Sequence, residues 1–170
     1  MKGEKYMEFV HVELKRDTWI QSSRKITSPK DAVISILNMI DNMDKEMLVS
    51  INLASDGTVI NCAIISVGTV NQSILSISEI IRIAILSGGA TVILMHNHPS
   101  GCCRASAEDR EVTKKVAVAC QLMGLELWDH IIVGANGDFY SFKKEEESCF
   151  SVYKNDYEKL MIAEGVRKID

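Results

Sequence analysis

The segment Ala90-Thr91-Val92-Ile93-Leu94-Met95, with Gly88-Gly89 before it and a histidine after it, constrains the fold more than any other stretch of the chain. Its length and composition are those of a buried strand, and helical and strand-like patterns alternate on either side of it. Upstream, Ser28-Pro29-Lys30-Asp31 combines an N-cap serine, a proline at the first helical position and an acid at the third. Ala32, Ile36, Met39, Ile40 and Met43 then recur at helical spacing, which predicts a helix from about Pro29 to Met43. Glu46 to Ala54 and Thr58 to Val67 are β-rich runs around the turn Ser55-Asp56-Gly57, the pattern of a hairpin.

Ser76 or Ser78 caps a helix that runs through Leu86 and is closed by Gly88-Gly89. Ser106 opens another, through about Met123, which Gly124 stops. Glu8 to Leu14 reads as an early strand, followed by a polar loop, and Leu125 to Val133 and Phe139 to Lys143 read as the last two strands. The hairpin and the terminal meander break the alternation expected of a fully parallel sheet. The fold class predicted is therefore α/β, a mixed β-sheet flanked by helices.

A chain of 170 residues with 46% hydrophobic content buries one good core and is short for two, so one domain is expected. Residues 1–27 would supply its N-terminal strand and loop, 28–144 its core, and 145–170 a tail. In that tail Ser151 to Val166 reads as an amphipathic helix, with Val152, Tyr153, Leu160 and Ile162 among its apolar positions, able to pack on the body or on a second subunit. No apolar run approaches the roughly 18 residues of a membrane span. The first residues alternate polar and apolar where a secretory signal needs a continuous apolar stretch, so the cytoplasm is the expected compartment.

Five cysteines, Cys62, Cys102, Cys103, Cys120 and Cys149, form an odd set without CxxC spacing, which argues against a disulfide framework and against a thiolate zinc cluster. A net charge of -4 gives no global attraction for phosphate backbones, and nucleic acid is not the favoured partner.

The chemistry concentrates just after the buried strand. His96-Asn97-His98-Pro99-Ser100-Gly101 leaves it, and Ser106-Ala107-Glu108-Asp109 starts the next helix. Residues two apart in extended backbone face the same side, so His96 and His98 can aim at one point, with Asp109 returning in the first helical turn. Two imidazoles and a carboxylate at roughly 2.0 to 2.2 Å make a three-ligand zinc site whose fourth position is left for water, the catalytic arrangement and not the closed structural one. On spacing alone two other readings stay open: a pair of surface histidines, and a capping box made by Ser106 and Asp109.

The run His96-x-His98-Pro99, six residues, Ser106, two residues, Asp109 matches the JAMM (MPN+) metalloprotease motif at each defining position. The surrounding MHNHPSG, SAEDREVTKKV, GLELWDHIIVG and GDFYSF segments resemble the RadC-like JAB domain of bacteria, and the similarity runs from about Val10 to Lys143. The resemblance implies a cytidine-deaminase-like JAB/MPN fold and a zinc-dependent peptidase or isopeptidase acting on a peptide or isopeptide-linked protein. It also implies a glutamate, not itself a ligand, that shuttles a proton. Glu46, before a core strand, occupies that place, and Glu79 is its competitor on a helix of its own, where an acid in the first turn is ordinary. Ser106 would donate to the oxyanion, with N-capping as its simpler role.

Cys102-Cys103-Arg104 departs from the family's usual loop and places two thiols beside the implied metal; a loop without function is the simpler reading. His130 reads as a satisfied core histidine with a contact behind the ligands open to it. The upstream helix-hairpin-helix segment of longer RadC proteins has no room here, which weakens any inherited link to DNA. The alternative function is a non-catalytic metal-binding module associated with DNA repair or nucleic-acid processing.

Overall fold

The computed structural model describes residues 11–15, 17, 25–40, 44–68 and 76–151. The elements run α1 (Pro29–Ile40), β1 (Met47–Leu53), β2 (Val59–Val67), α2 (Ile77–Leu86), β3 (Thr91–Asn97), α3 (Ala107–Leu122), β4 (Glu126–Val133), β5 (Phe139–Ser141) and a short α4 (Phe142–Glu145). The strands form one sheet in the order β2-β1-β3-β4-β5. β3 pairs parallel to β4 and the other pairings are antiparallel, so the sheet is mixed and flanked by helices as the alternation predicts.

Period-two alternation sorts the strand side chains into two layers. Val49, Ile51, Ile93, Met95, Ile131 and Val133 meet Ala32, Val33, Ile36 and Ile40 of α1 on one face. Leu48, Val92, Leu94 and Leu127 meet α2 and α3 on the other, through Ile80, Ala84, Val112 and Val116. Each such aliphatic side chain taken out of water contributes roughly 1.5–3 kcal/mol, which makes the two layers the main source of cohesion. β3 lies in the centre and is buried along nearly its whole length, which is why its sequence is an apolar run and not an alternating one.

The helix starts follow their capping signals. Ser28 Oγ accepts from Asp31 N at 3.3 Å while Asp31 Oδ2 accepts from Ser28 N at 2.9 Å. Ser76, and not Ser78, caps α2 through Glu79 N.

Two expectations are corrected. The described part of the Glu8 to Leu14 run, residues 11–14, forms no strand, and Val12 is 69% exposed, so this stretch buries no apolar face against the sheet; residues 8–10 lie outside the described residues. The predicted strand Phe139 to Lys143 stops at Ser141, because the Ser141 side chain caps α4 through Lys144 N and Asp129 Oδ1 accepts from Lys143 N at 2.9 Å. The first helix is described from Pro29 to Ile40, and its expected end at Met43 falls on residues 41–43, outside the described set. The predicted tail helix from Ser151 to Val166 lies outside it too, beyond Ser151. Among the described residues no helix is long and apolar enough to cross a membrane.

Candidate metal centre

The residues singled out by the motif meet at the carboxyl end of β3, on the α3 side of the sheet. β3 continues through Asn97, and His98 N donates to Val133 O at 3.0 Å, so the extended backbone carries both histidines before the chain turns. His96 and His98 therefore point the same way, with their Nε2 atoms 3.0 Å apart.

The turn that follows is shaped by space as much as by dihedral angle. Gly101 has φ +76°, and its carbonyl accepts from Ala135 N at 3.0 Å. Opposite it, a Cβ on Gly134 would lie 2.6 Å from Gly101 O, so the loop docks closely only where position 134 lacks a side chain.

α3 supplies the acid. Ser106 and Asp109 form a reciprocal capping box: Asp109 N donates to Ser106 Oγ at 3.0 Å, and Asp109 Oδ2 accepts from Ser106 N at 2.7 Å and from Ser106 Oγ at 2.6 Å. The capping reading and the ligand reading are thus compatible, because they use different oxygens. Oδ2 is taken by the cap, and Oδ1 lies 3.2 Å from His96 Nε2. Burial pushes the Asp109 carboxyl up, but the hydrogen bond and charge of His96 and the two bonds from Ser106 outweigh it and hold the group well below the usual carboxylate range.

Glu46 sits immediately before β1, with Oε1 3.7 Å from His96 Nε2. One ligand atom from each of Glu46, His96, His98 and Asp109 falls within 4.8 Å of all the others. Glu79 is not in this group. It is the half-exposed first-turn acid of α2 and pairs with Arg82 at 2.5 Å.

The donor set fits a small cation. His98 Nδ1 lies 2.7 Å from the Cys102 carbonyl, which only accepts, so the ring proton is on Nδ1 and the Nε2 lone pair faces into the site. On a tetrahedral ion with bonds of roughly 2.0–2.2 Å, neighbouring donors sit roughly 3.3–3.6 Å apart. His96 Nε2 lies 3.0 Å from His98 Nε2 and 3.2 Å from Asp109 Oδ1, a little inside that span, and His98 Nε2 lies 3.8 Å from the other carboxylate oxygen, Asp109 Oδ2. His98, Asp109 and His96 would hold the ion, two nitrogens and an oxygen, a set suited to zinc.

Three further residues serve this group, and the motif does not reveal them. Asn97, between the two histidines, points to the opposite face. Its Oδ1 accepts from Met47 N at 2.8 Å and its Nδ2 donates to Lys45 O at 3.1 Å, so it staples the backbone on both sides of Glu46 to the end of β3. The sequence signal was the period of two itself, which sends the middle residue of His-x-His away from the ligands. His130 is fully buried, with Nε2 3.0 Å from His96 Nδ1 and Nδ1 2.7 Å from Thr113 Oγ1. Burial, then the charge of His96, holds the His130 ring well below the ordinary imidazole range. Thr113 is one helical turn beyond Asp109, and that spacing was its only signal.

Of the two thiols near the site, Cys102 is exposed and Cys103 half-buried; the loop's contribution to the group is the Cys102 carbonyl, not a sulfur.

The profile of the RadC-like JAB domain matches residues 26–148, from just before α1 to just beyond α4. A UPF0758 protein of Actinobacillus pleuropneumoniae serotype 5b (strain L20) is 32% identical over 153 residues, covering 86% of this chain and 69% of its own length. A UPF0758 protein of Clostridium acetobutylicum is 41% identical over 123 residues, 72% of this chain and 53% of the relative. One from Methanosarcina mazei is 34% identical over 130 residues, 76% of this chain and 56% of the relative. This chain thus spans between about half and two thirds of the length of such relatives. With the profile covering the sheet, the loop after β3 and the helix that carries Asp109, the chain belongs to the RadC-like JAB domain family.

Proposed function

We propose that this chain is a zinc-dependent hydrolase of peptide or isopeptide bonds, with His96, His98 and Asp109 holding the metal and Glu46 moving the proton. The observation that carries the reading is the convergence of those four side chains at the end of β3: His96 on the strand and His98 just beyond it, Asp109 in the first turn of α3, and Glu46 immediately before β1.

The ion, when bound, supplies the Lewis acidity that makes water a nucleophile near neutral pH. The chain's own groups do the rest. The Glu46 carboxylate, 3.7 Å from the His96 ring and held by its backbone neighbours, is placed to take a proton from the attacking water and return it to the leaving amine. The Ser106 hydroxyl has one proton, now given to Asp109 Oδ2. It serves a developing oxyanion by rotating away, while the Ser106 N–H bond to Oδ2 keeps the carboxylate in place.

The test joins metal content to turnover. Wild-type protein purified without chelator should hold close to one zinc per chain by elemental analysis, and Asp109→Ala should hold almost none. Glu46→Gln should keep the metal, but the new protein termini and lost isopeptide links seen on expressing the wild type should disappear. Zinc retained by Asp109→Ala would remove the ligand set. Identical proteomes with wild type and Glu46→Gln would leave a non-catalytic metal-binding module in its place.

A further inference from the structure

The Thr113–His130 pair behind the ligands does work that packing does not require. The chain of contacts has a fixed direction, set at its far end by a group that cannot donate. The Asp109 backbone carbonyl only accepts, and Thr113 Oγ1 donates to it at 2.7 Å. A threonine hydroxyl has one proton, so toward His130 Nδ1, at 2.7 Å, the same oxygen must accept. The His130 ring proton is therefore on Nδ1, which leaves a lone pair on Nε2. That lone pair faces His96 Nδ1 at 3.0 Å and calls for a proton there. His96 Nε2 is then bare, 3.0 Å from the equally bare Nε2 of His98 and 3.2 Å from Asp109 Oδ1.

We propose that Thr113 and His130 are positioning residues that keep the His96 ring in the tautomer able to bind a cation, against the pull of Asp109 for a proton on the other nitrogen. The inference rests on His96 being a metal ligand. Its physical content is a competition. Without a cation, Asp109 Oδ1 favours a proton on His96 Nε2, which would block the site. The relay opposes this, because moving that proton forces His130 to reverse and Thr113 to abandon the Asp109 carbonyl. The same contacts orient the ring, and His130 is itself fixed by stacking on Phe142, with ring centroids 5.1 Å apart and planes 10° from parallel.

The experiment uses a pair of substitutions that separate shape from hydrogen bonding. Thr113→Val keeps the volume and loses the hydroxyl; Thr113→Ser keeps the hydroxyl and loses a methyl. Zinc affinity, measured by competition with a chromophoric chelator, should fall about 10- to 100-fold in Thr113→Val and stay near wild type in Thr113→Ser. In metal-free protein, nitrogen NMR of the His96 ring should show the Nε2-protonated fraction rising in the valine variant alone. His130→Gln, which keeps an acceptor toward His96, should bind zinc more tightly than His130→Leu. Wild-type affinity in Thr113→Val, or a greater loss in Thr113→Ser, would overturn the relay while leaving the metal reading intact. Absence of zinc binding by the wild type itself would remove that reading, and the relay with it.

Discussion

On the α1 side of the sheet, β3 presents Ile93 and Met95 to an aliphatic layer; on the α3 side the same strand presents Val92, Leu94 and then His96. The two faces are equally well covered, and the difference lies in what each buried atom needs. In the α1 layer a side chain contributes volume, and any neighbour of suitable shape satisfies it. At the far end of the α3 layer, His96, His130, Thr113 and Asp109 are all buried, and hydrogen bonds link Thr113 to the Asp109 carbonyl and to His130, and His130 to His96. Burying such groups is tolerable only where they are paired. The comparison teaches that a change on the first face should be felt as stability and a change on the second as metal affinity.

Met95→Ala gives the largest expected effect. Met95 is fully buried in the α1 layer and lies next to His96 in sequence, yet on the opposite face. Truncation should destabilise the protein by about 2–5 kcal/mol, read from a denaturant midpoint. The folded fraction should still bind one zinc per chain with wild-type affinity. A metal affinity that falls along with stability would break the separation between the faces.

The next effect is smaller and falls on the loop that joins them. Gly134 has an extended backbone that any residue can adopt, so its requirement is one of space. In Gly134→Ala the new methyl would meet Gly101 O at 2.6 Å and Cys103 Cβ at 3.2 Å. The overpacking should cost about 1–3 kcal/mol and push the loop off β4. Because that loop carries the Cys102 carbonyl that holds His98, zinc should bind about tenfold more weakly, a change equivalent to about 1.4 kcal/mol. Unchanged zinc affinity would show that His98 is held by β3 alone.

How far the sequence could have led differs between the two faces in the same way. The aliphatic layer was legible because α1 and the strands repeat at periods of 3.6 and 2, and a repeat survives without knowing its partner. His96, His98 and Asp109 were legible because a strand, a turn and a helical first turn bring them together locally. The order β2-β1-β3-β4-β5 was not, since pairing β1 with β3 is a contact between segments far apart in sequence. Nor was the orientation of His130. The register between β3 and β4 shifts between Val92 and Ile93, so Val92 faces Leu127 while Ile93 faces Asp129. The extra residue, Trp128, reverses the alternation from there on and turns His130 to the α3 side beside Thr113. Nothing in Leu127-Trp128-Asp129-His130 announces that bulge.

The smallest effect sharpens the comparison within α3 itself. Arg110, next to Asp109, turns away from the metal group and grips Glu146 through Nε at 2.8 Å and Nη2 at 2.6 Å, while Tyr140 Oη donates to the same carboxylate at 2.6 Å. The Arg110 bonds, followed by that of Tyr140, hold the Glu146 carboxyl below its ordinary value of 4.5. A carboxylate whose folded pKa is depressed stabilises the protein fully above the unfolded pKa and loses that stabilisation as pH falls through the folded value. Glu146→Gln should therefore lower Tm by a few degrees at neutral pH, and the gap to wild type should close as the pH drops below about 4.5. Zinc content at neutral pH should not change, because the group lies outside the donor set. A gap that persists at low pH would mean that Glu146 acts through shape, as the α1 layer does. Zinc lost at neutral pH would mean that the first turn of α3 transmits the strain to Asp109, and that the partners of the polar face extend further than its buried atoms.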